Sequence, residues 1–158
     1  MKRVIFSSFL LLLSFAGFSQ AEENGIIYIK HPSIDVVNQS TKAYLGRDMA
    51  TNRRLFADTG KFWSSTMAKP MPIADALKMW DRDFKFYDSV KVVTVGYPDY
   101  LHYKDQDQKY VQSWWEWQGK SKKTKKWLRI QYVQFDKFNK DGKIDFESLY
   151  GDFSKMEK

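Results

Sequence analysis

The chain has no cysteine and only two histidines, and these absences exclude several classes of site. Without cysteine there can be no disulfide, no thiolate-liganded zinc and no lipid-modified cysteine after the N-terminal apolar segment. The two histidines, His31 and His102, are far apart in the sequence. A nitrogen and sulfur zinc site is therefore excluded, and we expect neither a metal nor another cofactor.

The chain also lacks an apolar run of the roughly 20 residues that a membrane-spanning helix needs. Its most apolar segment, Val4–Phe15, follows the basic Met1-Lys2-Arg3 and precedes the small residues of Ser19-Gln20-Ala21. This order is typical of a cleaved signal peptide. We predict a leader at residues 1–21 and one domain at residues 22–158, periplasmic or secreted, with no membrane span in its mature form.

The formal charge of +7 is concentrated in five lysines between residues 120 and 126. They flank Ser121 and follow Gly119, so this segment is predicted to be the solvated turn of a hairpin. Nucleic-acid binding would need basic residues spread over a face with aromatic residues between them. We therefore expect no nucleic-acid partner.

Hydrophobic periodicity predicts helices in the first half of the domain and strands in the second half. In the clearest helix, apolar residues recur at spacings of three and four from Ile73 to Tyr87. The order of elements is typical of an α+β domain with helices on one face of a sheet. The predicted helices are Ile34–Leu45, with Ser33 as its cap, Met49–Phe56 and Ile73–Tyr87. The predicted strands are Lys61–Ser64, Val90–Val95, Tyr100–Tyr103, Tyr110–Gln118, Trp127–Phe135 and Ile144–Tyr150.

Alternation along the two longest strands predicts which side chains face the helices. Gln134 is then a polar group at the end of an apolar face, and a buried amide needs a hydrogen-bond partner or a ligand. One inward set is predicted to be Val111, Ser113, Trp115 and Trp117. The other is predicted to be Leu128, Ile130, Tyr132 and Gln134.

The segment from Asp136 to Ser148 resembles a calcium-binding loop, but the residues at two of its ligand positions lack the carboxylate that calcium needs there. With Gly142 at loop position 6, position 1 is Lys137 and position 12 is Ser148, where calcium needs carboxylates. The residues before the loop alternate as a strand does, whereas the calcium motif needs a helix. We predict a hairpin here.

Three segments carry a family resemblance: Leu55-Phe56-Ala57-Asp58, Trp115-Glu116-Trp117-Gln118-Gly119 and Phe138-Asn139-Lys140-Asp141-Gly142-Lys143-Ile144. Together with the order of elements, they resemble the nuclear transport factor 2-like superfamily, which includes ketosteroid isomerases and SnoaL-type polyketide cyclases. The resemblance implies a cone-shaped fold, in which a curved antiparallel sheet wraps around N-terminal helices and encloses an apolar cavity. It also implies a homodimer through the outer face of the sheet.

The isomerase chemistry does not carry over at the matching positions. The resemblance places the tyrosine of those enzymes at Ser40, the base carboxylate at Ser64 and the acid of the oxyanion hole at Gln134. A serine of ordinary acidity cannot act as the base, and an amide cannot act as a neutral acid. We therefore predict a non-catalytic module that binds a small apolar or aromatic ligand in an aromatic-lined cavity.

An enzymatic alternative remains open, as a cyclase, isomerase or hydratase with a rearranged acid and base set. Its members would come from Asp58, His102, Tyr132 and Gln134, although Asp58 also fits a turn and His102 an ordinary strand position. A third possibility is that side chains fill the cavity and the outer sheet face binds a partner. The predicted cavity residues are Ser40, Tyr44, Asp58, Ser64, Trp80, Phe84, Trp115, Tyr132 and Gln134.

Overall fold

A computed structural model describes residues 23–157, so the predicted leader at residues 1–21 lies outside the described residues. A curved, open sheet of eight strands packs on one face against three helices, which confirms the α+β prediction. The helices are α1 (Pro32–Leu45), α2 (Met49–Leu55) and α3 (Ile73–Phe86). The strands are β1 (Gly25–Tyr28), β2 (Phe56–Ser64), β3 (Met71–Pro72), β4 (Tyr87–Thr94), β5 (Asp99–Tyr103), β6 (Lys109–Ser121), β7 (Trp127–Phe138) and β8 (Ile144–Gly151).

The strand order is β1-β5-β6-β7-β8-β2-β3, and β4 also pairs with β6. Neighbouring strands are antiparallel except for β2 and β8, which run parallel. The two long central strands, β6 and β7, pair without interruption from Lys109 opposite Phe138 to Lys120 opposite Trp127. Their inward side chains therefore form one continuous face, and the predicted alternation of both strands is confirmed by their burial.

Helix α1 begins at Pro32, two residues before its predicted start at Ile34. His31 is the N-cap, and its Nδ1 accepts a hydrogen bond of 3.1 Å from the backbone N–H of Ser33. Pro32 occupies the first turn, where its missing N–H removes no helical hydrogen bond. The prediction of Ser33 as the cap is therefore wrong, whereas the helix ends at Leu45 as predicted, with Gly46 as its C-cap.

The core lies between the inner sheet face and the helices. Val37 of α1, Phe56 of β2, Val111 of β6 and Ile144 of β8 have no exposed surface. Ile73, Ala76 and Leu77 bury the first two turns of α3 against the same cluster. The last turns of α3 carry larger side chains, and these line a cavity instead of closing the core.

The turn between β7 and β8 confirms the hairpin prediction. The Asn139 Oδ1 accepts hydrogen bonds of 3.0 Å from the backbone N–H groups of Asp141 and Lys143. Gly142 has a φ of 73°, a conformation that favours glycine. The hairpin fixes the register in which β8 returns along β7.

The sequence prediction missed two short strands and made several others too short, including β2, β4, β6 and β7. Neither β1 nor β3 was predicted, and β2 begins at Phe56 instead of Lys61. Strand β7 continues to Phe138, three residues past its predicted end. Within residues 23–157, no helix has the length and apolar content to cross a membrane.

Candidate functional site: an internal cavity

A cavity with a volume of about 340 Å³ lies between the inner sheet face and the three helices. Its wall includes side chains from all three helices, from six strands and from the segment after β8. This volume is in the range of small-molecule sites in proteins. The cavity is therefore the candidate functional site.

Six of the nine predicted cavity residues lie in the wall, and three do not. Those in the wall belong to α1, β2, α3 and β7, so they surround the space from both layers of the fold. The six are Ser40, Tyr44, Ser64, Trp80, Tyr132 and Gln134. The three outside it are Asp58, Phe84 and Trp115.

Asp58 lies on the outward face of β2, where 93% of its side chain is exposed and its carboxylate pairs with Arg53 at 2.7 Å. It lies inside a strand, not at the turn that the sequence suggested. Trp115 is buried in the core, and its Nε1 donates a 2.8 Å hydrogen bond to Ser113. The alternation of β2 turns Asp58 away from the cavity, and the packing of the core keeps Trp115 out of it.

Phe84 packs its ring against Tyr44, with the guanidinium of Arg47 5.2 Å from its ring centre. It therefore supports a wall residue from behind. His102, the other predicted acid or base candidate, faces solvent and hydrogen-bonds to Asp107. Neither Asp58 nor His102 can act inside this cavity.

Aromatic and sulfur-containing side chains make up nearly half of the residues in the wall. Phe62 meets Trp80 edge to face, with ring centres 5.3 Å apart, and Tyr132 meets Phe153 at 5.5 Å. Such walls suit flat or apolar ligands because rings and thioethers offer large polarisable contact surfaces. The aromatic members are Tyr44, Phe62, Trp80, Phe86, Trp117, Tyr132 and Phe153, and the methionines are Met67, Met71, Met79 and Met156.

One end of the cavity is polar and carries two carboxyl groups. Asp136 and Glu147 lie opposite each other on β7 and β8, and each carboxyl group alters the pKa of the other. Gln134 Nε2 donates to Asp136 Oδ2 at 2.8 Å and to Glu147 Oε2 at 3.4 Å. Glu147 and Gln134 line the cavity, and Asp136 is fully buried beside them.

The pair holds a proton more tightly than isolated carboxyl groups do. Burial raises the pKa of Asp136 from 3.8 to about 7, against the opposing effect of its hydrogen bonds. Burial and the charge of Asp136 raise the pKa of Glu147 well above its ordinary value. Asp136 Oδ1 receives no hydrogen bond from any N–H or hydroxyl of the described residues, so a proton on Glu147 is its available donor.

Tyr132 lies in the wall next to this carboxyl pair. Burial first, and then the charges of Glu147 and Asp136, raise the pKa of its phenol. Among residues 23–157, no side chain or backbone group hydrogen-bonds to its hydroxyl. The hydroxyl is therefore a donor that stays neutral and is available to a ligand.

Another carboxyl group, that of Asp83 on α3, lines a different part of the wall. The Tyr44 hydroxyl donates a 2.9 Å hydrogen bond to Asp83 and accepts one of 2.8 Å from Trp117 Nε1. Burial raises the pKa of Asp83 from 3.8 to about 6, although the Tyr44 hydroxyl and Arg82 oppose this rise. Asp83 is therefore mostly ionised at neutral pH but easily protonated below it.

The hydroxyl groups of Ser40 and Ser64, the two serines at positions matched to the isomerases, have hydrogen-bond partners within the protein. Ser40 Oγ donates a 2.8 Å hydrogen bond to Oδ1 of Asn52, which also lines the cavity. The Ser64 and Thr66 hydroxyls are 3.1 Å apart. Both serines contribute polarity to the wall but no acid or base.

The sequence prediction missed Asp83, Asp136 and Glu147, although a signal existed for Asp83 and Asp136. Continuing the inward alternation of β7 by one step from Gln134 reaches Asp136, but the predicted strand ended at Phe135. Asp83 lies one helical repeat of seven residues after buried Ala76. Glu147 could not be placed because an irregularity near Asp145 shifts the phase of β8.

The described residues contain no group of three or more His, Asp or Glu side chains that could hold a metal ion. The polar end combines an amide, a phenol and a carboxyl pair, which is a donor and acceptor set for an organic group. Its chemistry is that of hydrogen bonding and proton transfer.

No curated protein and no protein-family model matches the chain by sequence. Solved structures match it by fold. A protein of unknown function from an Exiguobacterium species, described as NTF2-like, is 18% identical, with a TM-score of 0.57 over 75% of this chain and 98% of its own. A Shewanella denitrificans protein assigned as a SnoaL-like polyketide cyclase is 11% identical, with a TM-score of 0.59 over 80% and 95%.

A third structural neighbour is a Catenulispora acidiphila protein with a ketosteroid isomerase-like fold, in complex with trimethylamine. It is 16% identical, with a TM-score of 0.60 over 77% of this chain and 88% of its own. At these identities the likeness shows the fold alone. The chain has the NTF2-like fold.

Proposed function

We propose that the domain binds a small, mainly apolar organic molecule in its internal cavity. The observation that carries this proposal is the cavity of about 340 Å³, whose wall combines aromatic rings and methionines with one polar end. Ligand sites have this composition because apolar contact supplies affinity and a few polar groups fix orientation. The unpartnered Tyr132 hydroxyl and Gln134 are the groups expected to meet the ligand's polar atom.

The fold neighbours support this proposal by analogy. The Catenulispora protein was solved in complex with trimethylamine, so a protein of this fold can bind a small organic molecule. Fold alone does not carry function, because one fold serves many chemistries. The proposal therefore rests on the wall of this cavity and not on the neighbours.

The binding proposal is tested with N-phenyl-1-naphthylamine, a neutral apolar dye that fluoresces when it enters an apolar site. The purified protein is expected to bind it with a stoichiometry of one. Ser64→Phe places a ring in the cavity and should abolish binding, because Ser64 is buried in the wall. Thr59→Phe, at an exposed position on the same strand, is the matched control and should bind as the unmodified protein does.

Absence of dye binding, or equal binding by the Ser64→Phe and Thr59→Phe variants, would contradict the proposal. Both variants must first show the unfolding midpoint of a folded protein. This separates loss of the cavity from loss of the fold.

A second candidate function is acid and base catalysis in the same cavity, and the carboxyl pair favours it. A pair that shares one proton offers a carboxylate and a carboxylic acid side by side near neutral pH. The carboxylate could accept a proton from carbon next to a ligand carbonyl, while the Tyr132 hydroxyl donates a hydrogen bond to the enolate oxygen. This set replaces the Asp58 and His102 candidates with Asp136, Glu147 and Tyr132.

Exchange of the α-protons of 2-tetralone in D₂O, followed by NMR, tests the catalytic candidate without knowledge of the natural substrate. The protein should accelerate exchange, and Glu147→Gln should reduce the acceleration at least about tenfold. Asp58→Asn is the matched control, since it changes an exposed carboxylate to an amide. Equal rates for the protein and the Glu147→Gln variant would refute the catalytic candidate and leave the binding proposal intact.

We also propose that the domain is exported and forms a homodimer through the outer face of its sheet. Export rests on the leader-like sequence of residues 1–21, and N-terminal sequencing of protein recovered from its host tests it. Dimerisation rests on outward apolar side chains such as Val93 and Tyr150, which are 45% and 50% exposed. Sedimentation equilibrium should give twice the monomer mass for the intact protein and one monomer mass for Val93→Asp.

A further inference from the structure

The cavity combines an aromatic wall with acidic groups, and the charge of this wall is opposite to that of the chain. The whole chain carries a formal charge of +7. Three carboxyl side chains, Asp83, Glu147 and Glu157, line the cavity, and Asp136 lies behind Glu147. Arg82 is the one basic side chain in the wall formed by residues 23–157, and its residue is exposed.

We propose that the cavity selects an organic cation, an alkylammonium group, over a neutral molecule of the same shape. This inference rests on the proposed function, because it names the class of molecule that the cavity binds. Its basis is the joint presence of aromatic rings and of buried carboxyl groups that form no ion pair with a basic side chain of residues 23–157.

Within residues 23–157, the exposed Arg82 is the one basic side chain in the wall, and it forms no ion pair with these carboxyl groups. The ion pairs of the described residues involve exposed side chains such as Asp58 and Asp81, and none includes Asp83, Asp136 or Glu147. Burying an unpaired carboxylate is costly, and the protein compensates only in part through hydrogen bonds from Gln134 and Tyr44. A cation in the cavity would supply the missing partner.

The buried oxygen Asp136 Oδ1 is a second and independent sign of this incomplete pairing. It receives no hydrogen bond from an N–H or hydroxyl group of the described residues, although Asp136 has no exposed surface. Buried carboxylate oxygens are ordinarily satisfied. The available donor to Asp136 Oδ1 is the proton on Glu147, and the pair that shares this proton keeps a negative charge that no ion pair of residues 23–157 neutralises.

The aromatic residues of the wall add a second source of preference for a cation. Trp80, Trp117 and Tyr44 lie in the same wall as Asp83. The faces of aromatic rings attract cations, and alkylammonium groups are bound in this way because their methyl groups also make apolar contacts. A neutral isostere would make the same apolar contacts but would gain nothing from either the rings or the carboxylates.

The test compares phenyltrimethylammonium with tert-butylbenzene, which differ only in the replacement of the charged nitrogen by carbon. Their dissociation constants are measured by displacement of N-phenyl-1-naphthylamine from the purified protein at pH 7.5 and low ionic strength. We expect the cation to bind at least about tenfold more tightly than its neutral isostere. In a purely apolar cavity the neutral isostere would bind more tightly, because it is easier to remove from water.

Variants locate the source of the preference. Asp83→Asn and Glu147→Gln should each reduce the ratio of the two dissociation constants by about tenfold, while the affinity for the neutral isostere changes little. Asp58→Asn, which removes an exposed carboxylate outside the cavity, should leave the ratio unchanged. A preference that survives both cavity variants would overturn the role of the carboxyl groups.

The outcomes separate this inference from the proposed function. If the dye and tert-butylbenzene bind but the cation does not bind more tightly, the cation inference fails and the binding function stands. If neither the dye nor the two probes bind, both fail. If the cation binds more tightly and the preference depends on Asp83 or Glu147, both are supported.

Discussion

Replacing Asp136 by asparagine should stabilise the protein at neutral and alkaline pH, although Asp136 is fully buried. Asp136 and Glu147 share a site, and burial raises the pKa of Asp136 from 3.8 to about 7. Asparagine has nearly the same shape, its oxygen can accept the hydrogen bond from Gln134, and its amide can donate to Glu147. The variant therefore keeps the contacts and loses the buried charge.

The size of the effect follows from proton linkage. Between pH 4 and pH 7 the folded protein keeps the proton on the pair while the unfolded chain has released it, so the native stability falls as pH rises. A rise from 3.8 to about 7 corresponds, at 1.36 kcal/mol per pH unit, to about 4 kcal/mol lost by pH 7. The Asp136→Asn variant does not incur this loss.

Urea unfolding of the protein and the variant at several pH values from 4 to 8 measures the difference directly. The free energy of unfolding of Asp136→Asn, relative to the unmodified protein, should rise by about 1.4 kcal/mol per pH unit and become constant above pH 7. Asp58→Asn is the control and should change stability by less than about 1 kcal/mol. A difference between Asp136→Asn and the protein that does not change with pH would refute the assignment of a shared proton.

Three further substitutions test the packing around the cavity. Tyr44→Phe leaves Trp117 Nε1 without its acceptor and Asp83 without its donor, so urea unfolding should show a loss of about 2 kcal/mol. Gly119→Ala places a methyl group against the Trp117 ring, and we expect a loss of about 1–3 kcal/mol with altered tryptophan fluorescence. Gly142→Ala should lower the unfolding free energy by about 1 kcal/mol, because its φ of 73° disfavours alanine while its surroundings are open. An unchanged midpoint for any of the three would contradict the contact concerned.

The order of elements could be predicted because long elements carry strong periodicity. The long strands β6 and β7 alternate over their whole length, and α3 repeats its apolar residues at three and four. The short strands β1 and β3 could not be predicted in this way. Strand β3 has two residues, and β1 exposes Ile26 and Ile27 at the edge of the sheet, so neither shows alternation.

The cavity could be predicted only in part, because its walls are made by contacts between distant segments. Tyr132 and Gln134 followed from the alternation of one strand. The pairing of Asp136 with Glu147 depends on the register of β8 after an irregularity that no local pattern reveals. Asp83 lies in the cavity wall and accepts a hydrogen bond from Tyr44, which is 39 positions earlier and on another helix. No local pattern predicts a contact of this kind.

The central claim, that a small molecule occupies this cavity, is tested most directly by NMR of the methionine methyl groups. Four methionines, Met67, Met71, Met79 and Met156, line the cavity, whereas Met49 packs in the core outside it. In protein labelled with [methyl-¹³C]methionine, saturating N-phenyl-1-naphthylamine should shift the four lining signals and leave that of Met49 in place. Unchanged lining signals, or shifts confined to Met49, would contradict the account.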